Sequence, residues 1–191
     1  MSILKRYASL AAAALALSAV ALTGPASADT ARTPAAFDKQ ARAAGLSRDD
    51  ADALQAKVDR YLARQDGRQV SANEIALADG VKLTVTVPGE RYVRDLSTPA
   101  ANRAAAQWEC DYTYFCMFRQ TLGMGDRLAL YHCQDYALRD WTGEGSYYNN
   151  QTPGTRAVFK NRNRNVIHTT LGAPFSVASY DWTPVWFVRP C

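Results

Sequence analysis

The residues of this chain best suited to chemistry are four cysteines and two histidines. The cysteines are Cys110, Cys116, Cys133 and Cys191. Their spacing lacks the close CxxC pairs of structural zinc sites, and only His132 adjoins a cysteine. The pattern therefore favours disulfides over a metal centre, and an even count argues against a free catalytic thiol.

The N-terminus indicates the compartment in which these cysteines work. Lys5 and Arg6 precede an apolar run over 10–22, and the small residues 26–28 close it. This order is typical of a secretory signal peptide, and the run is too short for a convincing membrane span. We predict that 1–28 is a signal peptide and that the mature chain is secreted, extracellular and free of the membrane.

An oxidising compartment makes two disulfides the expected outcome, with three possible pairings. The short spacing favours a bridge between Cys110 and Cys116. That choice leaves Cys133 and Cys191 to form the second bridge, which would tie the last residue back to its domain.

Charge and motifs exclude two large classes of function. Without Lys5 and Arg6 the formal charge falls from +4 to about +2, with no long run of one sign. Nucleic-acid partners are therefore not expected. No GxSxG, HExxH or phosphate-binding loop occurs, and carboxylate pairs such as Asp135 and Asp140 cannot be placed relative to each other. We predict that the protein is not an enzyme and has no catalytic residues and no cofactor.

Composition divides the mature chain. All four Trp and all four Cys lie at or after residue 108, where most of the Tyr and Phe also lie. We predict a flexible N-terminus over 29–46, a helix plus β-hairpin segment over 47–96, a linker over 97–107 and a disulfide-stapled domain over 108–191.

Two patterns define the helix and the hairpin of the segment 47–96. Ser47 and Asp50 predict a capping box, followed by an apolar stripe at helical spacing. The stripe comprises Leu54, Val58, Tyr61 and Leu62. Apolar residues then alternate over 75–87 around a turn at Asp79-Gly80, which is a β-hairpin pattern.

Beyond residue 108, short apolar segments alternate with Gly, Asn and Pro turns, which predicts a small antiparallel β-sandwich. Phe118 lies seven positions before Gly125, and the segment 141–150 contains a second set of motif residues. These are Trp141, Ser146, Asn149 and Asn150. Together with the early cysteine pair, residues 108–164 resemble the Greek-key βγ-crystallin motif of peptidase inhibitor family thirty-six.

That resemblance implies a mostly β fold, namely a Greek-key βγ-crystallin-like sandwich with two disulfides, preceded by the helix and hairpin. It also implies a secreted bacterial protein that inhibits an extracellular protease, in particular a metalloproteinase. A rigid, disulfide-anchored loop held in extended form would make the contact, because such a loop loses little entropy on binding. Because the second copy of the motif is degenerate, no loop of this chain matches the inhibitory loop of the family. The resemblance therefore identifies no inhibitory contact residues.

Two departures from the motif affect what it can do. Gly123 occupies a position where the motif has an aromatic residue, and the second copy, from Phe159, has Arg164 and Val166 in place of its aromatic and glycine. Calcium-binding versions use oxygen ligands where this chain has the residues Trp141, Thr142 and Gly145. Glu144 and Asp126 remain nearby, but we expect weak or no calcium binding and no other metal.

A second function stays open, namely a cell-wall or carbohydrate-binding extracellular module without inhibitory activity. Aromatic side chains could form a platform for a sugar ring, either Trp141, Tyr147 and Tyr148 or Trp182 and Trp186. The polar run 160–165 reads either as a solvated turn or as an exposed basic contact loop. The oligomeric state has no signature in the sequence.

The signal peptide can be tested directly. N-terminal sequencing of the exported protein is expected to begin at Asp29, because small residues at 26 and 28 flank the cleavage site. A start far from Asp29, or retention of the leader in the exported protein, would contradict this assignment.

Overall fold

The computed structural model describes residues 33–97 and 105–191, so the predicted signal peptide and most of the predicted linker lie outside the described residues. Two α-helices come first, α1 (Pro34–Ala43) and α2 (Arg48–Leu62). The strands are β1 (Arg68–Gln69), β2 (Glu74–Ala78), β3 (Val81–Thr84), β4 (Phe115–Phe118), β5 (Arg127–Leu130), β6 (Tyr136–Ala137), β7 (Glu144–Asn149), β8 (Val158–Lys160), β9 (Val166–Thr169), β10 (Phe175–Asp181) and β11 (Phe187–Arg189).

The strands form two antiparallel sheets. One has seven strands in the order β1-β2-β3-β5-β4-β7-β10, and the other has four in the order β6-β11-β8-β9. Buried residues of both sheets, such as Phe115 and Phe159, belong to one hydrophobic core. The fold is thus mostly β, with two helices and two disulfides, and is consistent with a small β-sandwich.

The predicted helix and hairpin of the segment 47–96 are confirmed. The Ser47 hydroxyl caps α2 by accepting a hydrogen bond from the Asp50 amide at 3.0 Å, and Leu54 and Val58 on its apolar stripe are buried. Strands β2 and β3 pair with each other around Gly80, whose φ of +68° suits a residue without a Cβ.

The predicted division of the chain differs from the fold in two respects. Part of the segment 29–46 that we expected to be flexible is helix α1, with Phe37 and Ala41 buried. The hairpin is also not separate from 108–191, because β3 pairs with β5 and places Leu83 opposite Leu128. The composition changes near residue 108, but strands from before and after this residue belong to the same seven-stranded sheet.

A buried carboxylate joins these two parts of the chain. Asp126 is 5% exposed, and its Oδ1 accepts from Lys57 Nζ at 2.6 Å. The amide and hydroxyl of Thr86 also donate to Oδ1, at 2.9 and 2.7 Å, and the Tyr61 hydroxyl donates to Oδ2 at 2.7 Å. Burial alone would raise the pKa of Asp126, but the charge and hydrogen bond of Lys57, with the bonds from Tyr61 and Thr86, hold that pKa below its ordinary value.

Both disulfides form with the predicted pairing. Cys110 bonds to Cys116 with a Cα–Cα distance of 5.9 Å, and Cys133 bonds to Cys191 with 5.3 Å. The second bridge closes a long loop, which chain-entropy arguments associate with about 4 kcal/mol of stabilisation. Two disulfides are consistent with an oxidising environment. Among the described residues, neither helix has the length and apolarity needed to cross a membrane.

The Asp126 cluster yields a prediction about acid stability. We expect Asp126→Asn to lower the free energy of unfolding at pH 7 by about 2 kcal/mol, which is less than for a fully buried pair because Lys57 is 30% exposed. A carboxyl whose folded pKa lies below its unfolded value of about 3.9 stabilises the protein above that value. This contribution is lost as the pH falls through the lowered pKa. Urea unfolding from pH 7 to pH 2.5 should therefore show the variant converging on the wild type below about pH 4.

Asp52→Asn, an exposed change on α2, is the matched control and should alter stability by less than about 0.5 kcal/mol. A gap between wild type and Asp126→Asn that stays constant down to pH 2.5 would show that the ionised carboxylate is not the stabilising species.

Candidate binding site

The first disulfide closes a loop, residues 110–116, that we call the Tyr112 loop. It carries Tyr112 with its side chain 62% exposed, the highest value among the exposed large hydrophobic side chains of the described residues. Its second cysteine, Cys116, lies within β4 and is fully buried. The loop therefore projects an exposed aromatic side chain from a buried, cross-linked base.

Asn150 braces the loop through three hydrogen bonds. Its carbonyl accepts from the Thr113 amide at 2.9 Å, its amide donates to the Tyr114 carbonyl at 3.1 Å, and its side-chain Nδ2 donates to the Cys110 carbonyl at 2.8 Å. This gives Asn150, one of the motif residues, a definite structural role. The loop is held both by the disulfide and by the end of β7.

The backbone of the Tyr112 loop is a turn and not the extended form that we expected of an inhibitory loop. Thr113 has φ of +78°, a left-handed conformation that is unfavourable by about 1–2 kcal/mol for a residue with a Cβ. The Tyr114 amide donates to the Asp111 carbonyl at 3.2 Å, and the Thr113 hydroxyl donates to the Tyr112 carbonyl. A ring of this size with a turn inside it cannot lie along a cleft as a strand, but it presents the Tyr112 side chain outward.

A second exposed aromatic lies beside the base of the loop. Phe115 of β4 pairs with Leu130 of β5, which brings the next residues, Tyr114 and Tyr131, together with ring centroids 5.1 Å apart. Lys82 Nζ lies 5.7 Å from the centre of the Tyr114 ring. Tyrosine is enriched at protein interfaces because it combines apolar area with a polar hydroxyl.

Ser146 has the role that its motif position implies. Its Oγ accepts from the Gly123 amide at 2.9 Å and donates to the Gln120 carbonyl at 2.7 Å. Gly125 has φ of +77°, as expected for the turn glycine. Ser146 is fully buried, so these bonds lock the turn between β4 and β5 against β7.

The aromatic cover of this turn comes from a residue outside the turn. The atoms nearest to a Cβ built at Gly125 belong to Arg119 and Gln120 and not to Phe118. Phe118 instead packs edge-on against Trp108, with centroids 5.7 Å apart, and a Cβ at Gly123 would lie 3.0 Å from the Trp108 ring. Trp108 thus supplies the aromatic cover at the position where the motif residue itself is glycine.

The proposed aromatic platforms are largely part of the core. Trp141, Tyr147 and Trp182 are at most 4% exposed, so these three rings are not available to a sugar. Burial, followed by the effect of Tyr180, raises the pKa of Tyr147 to about 12, as expected for a phenol between two sheets. Trp186 differs from these rings, because it is 45% exposed.

The remaining motif residue and the acidic residues near it serve internal contacts. Asn149 is fully buried and donates to the Thr155 carbonyl at 2.8 Å. Glu144 accepts from the Ser179 hydroxyl at 2.5 Å, and Asp126 is bound by Lys57. Within 33–97 and 105–191, no three His, Cys, Asp or Glu side chains form a metal-binding group.

The two histidines contact different partners, and His168 Nε2 lies 3.4 Å from the buried Tyr147 hydroxyl. His132 lies 3.0 Å from Asp79 at the hairpin turn, and its neighbour Cys133 is in a disulfide. His168 packs against Phe159, and burial lowers its pKa. That the protein is not an enzyme stays a prediction from the sequence.

A surface of mixed cationic and aromatic character lies on the four-stranded sheet. Asp135 accepts from Lys160 at 2.8 Å and from Arg189 at 2.9 Å, and Arg164 lies 3.3 Å away. The pKa of Asp135 is lowered, and the hydrogen bond from Lys160 is the largest cause. The guanidinium carbons of Arg162 and Arg164 lie 5.1 and 4.2 Å from the ring centres of Trp186 and Phe187. We call Lys160, Arg162, Arg164, Trp186 and Arg189 the cationic face.

Comparison with known proteins leaves the family open. No family model matches the chain, and neither the curated proteins nor the solved structures contain a match to it.

Proposed function

We propose that this chain is a secreted, non-enzymatic binding protein that inhibits an extracellular protease through the Tyr112 loop. The observation that carries the proposal is an exposed tyrosine on a turn fixed by a disulfide and by Asn150. Such a residue loses little conformational freedom on binding, so more of its contact energy becomes affinity. Metalloproteinases are the target class that the resemblance implies.

The turn geometry determines the mode of contact that we propose. An extended segment would add a strand to the protease cleft, but the left-handed Thr113 prevents this. Tyr112 instead enters an apolar pocket of the protease with its side chain, while Tyr131 covers the surrounding surface. A central aromatic anchor within a less critical rim is a common arrangement at tight interfaces.

We also propose that the domain has the Greek-key βγ-crystallin-like architecture implied by its motif residues. The support is the lock that Ser146 makes with Gly123 and Gln120, together with the positive φ of Gly125. Trp108 compensates for the missing aromatic at position 123.

An inhibition assay tests the binding proposal. The mature protein should inhibit a thermolysin-like metalloproteinase, and Tyr112→Ala should raise the inhibition constant at least tenfold, because truncating a central anchor costs about 2 kcal/mol or more. Val166→Ala is the matched control, since Val166 is 59% exposed but lies on β9 of the other sheet. Its inhibition constant should equal that of the wild type.

Replacement of both Cys110 and Cys116 by serine should weaken inhibition, because it removes the bridge that fixes the loop while the Cys133–Cys191 bridge stays in place. Absence of inhibition at high micromolar concentration would refute the metalloproteinase proposal. Inhibition that is equally strong with Tyr112→Ala would refute the role of the Tyr112 loop.

A second candidate function rests on the cationic face. Three basic side chains surround one carboxylate, Asp135, and a fourth, Arg162, is stacked on the exposed Trp186. An aromatic ring beside guanidinium groups suits an acidic cell-wall polysaccharide, since the ring covers a sugar and the cations meet its charges.

Co-sedimentation with an acidic wall polysaccharide tests this candidate. Trp186→Ala should reduce the bound fraction severalfold at low salt, and wild-type binding should weaken as the salt concentration rises. Leu171→Ala, which removes another exposed apolar side chain, should bind like the wild type. No sedimentation of the wild type, or equal sedimentation of Trp186→Ala, would exclude this role for the cationic face.

A further inference from the structure

A cavity of about 270 Å³ lies between the end of α2, the strands β2, β3 and β5, and the β6 segment. We call it the α2–β6 cavity. Much of its wall is apolar and includes Leu77, Val81, Leu128 and Leu138. Of the two exposed surfaces described above, only the cationic face touches it, through Asp135.

Two buried hydrogen-bond donors, which belong to residues that line this cavity, have no partner among the described residues. These are Nε of Arg119 and Nε1 of Trp141, both buried. The Trp141 residue is only 4% exposed, and the Arg119 guanidinium carbon lies 4.4 Å from the centre of a Trp141 ring. A buried donor left without an acceptor is unfavourable by about 1–3 kcal/mol, so a stacked pair of them indicates a place for an acceptor.

The charge of Arg119 specifies which acceptor fits. Within 33–97 and 105–191, no carboxylate forms an ion pair with Arg119, and the carboxylate of Asp135 at the cavity is held by Lys160 and Arg189. The Tyr61 hydroxyl beside Arg119 stays neutral, because burial, followed by Asp126, raises the pKa of Tyr61 to about 12 against the opposing charge and hydrogen bond of Arg119. At the rim, the exposed Asp66 and Arg139 carry opposite charges.

We infer that the α2–β6 cavity binds a small amphipathic carboxylate, such as a medium-chain fatty acid. The carboxylate accepts hydrogen bonds from Arg119 and Trp141, and the hydrocarbon body lies against the leucines of β2 and β5. An inorganic anion would leave the apolar wall unused, and a neutral hydrocarbon would leave both donors without an acceptor. This inference does not depend on the proposed protease target.

Calorimetric titration of the mature protein with octanoate and with 1-octanol tests the inference, because the two probes share a chain and differ in charge. The wild type should bind octanoate at least tenfold more tightly than octanol. Arg119→Met should lose at least tenfold in octanoate affinity while keeping its affinity for octanol. Arg42→Met, an exposed change on α1, is the matched control and should bind both probes like the wild type.

Trp141→Phe keeps the aromatic wall and removes the indole donor, so it provides a second variant if Arg119→Met does not fold. It should weaken octanoate binding severalfold and leave octanol binding unchanged. Absence of octanoate binding at millimolar concentration, or an octanoate affinity that neither variant changes, would overturn the inference.

Discussion

The structure depends on one buried carboxylate. Asp126 lies on the turn before β5, and its partners come from α2 and from the segment after β3. An unpaired carboxylate in this position would be strongly unfavourable, so the surrounding donors must be in place for the core to close. The hydrogen bonds of Asp126 therefore link α2 and the segment after β3 to the start of β5.

The local elements could be predicted because their signals lie in short stretches of sequence. Ser47 ahead of an apolar stripe predicts α2, Asp79-Gly80 between alternating residues predicts the hairpin, and the spacing of Cys110 and Cys116 predicts their bridge. Each signal concerns residues that contact one another within a few positions along the chain.

The long-range features could not be predicted in the same way. The residues of β3 do not identify β5 as its partner, because any half-buried strand would have a similar pattern of apolar and polar residues. The position of Trp108 over Gly123 is equally invisible, although a glycine at an aromatic position was a signal that another ring must cover the turn. The Tyr112 loop was predictable as a closed ring, but its turn conformation depends on Asn150, which is distant in sequence.

The continuity of the seven-stranded sheet has a consequence for the order of events during synthesis of the chain. The hairpin leaves the ribosome before β5, so β3 first exists with an unpaired, apolar edge. Such an edge can pair with the same edge of another chain, and the delay until β5 arrives is the period of greatest risk. Lys82 lies in the middle of β3, where its charge opposes that self-association. During folding, pairing of β3 with β5 of the same chain therefore competes kinetically with pairing of β3 with another chain.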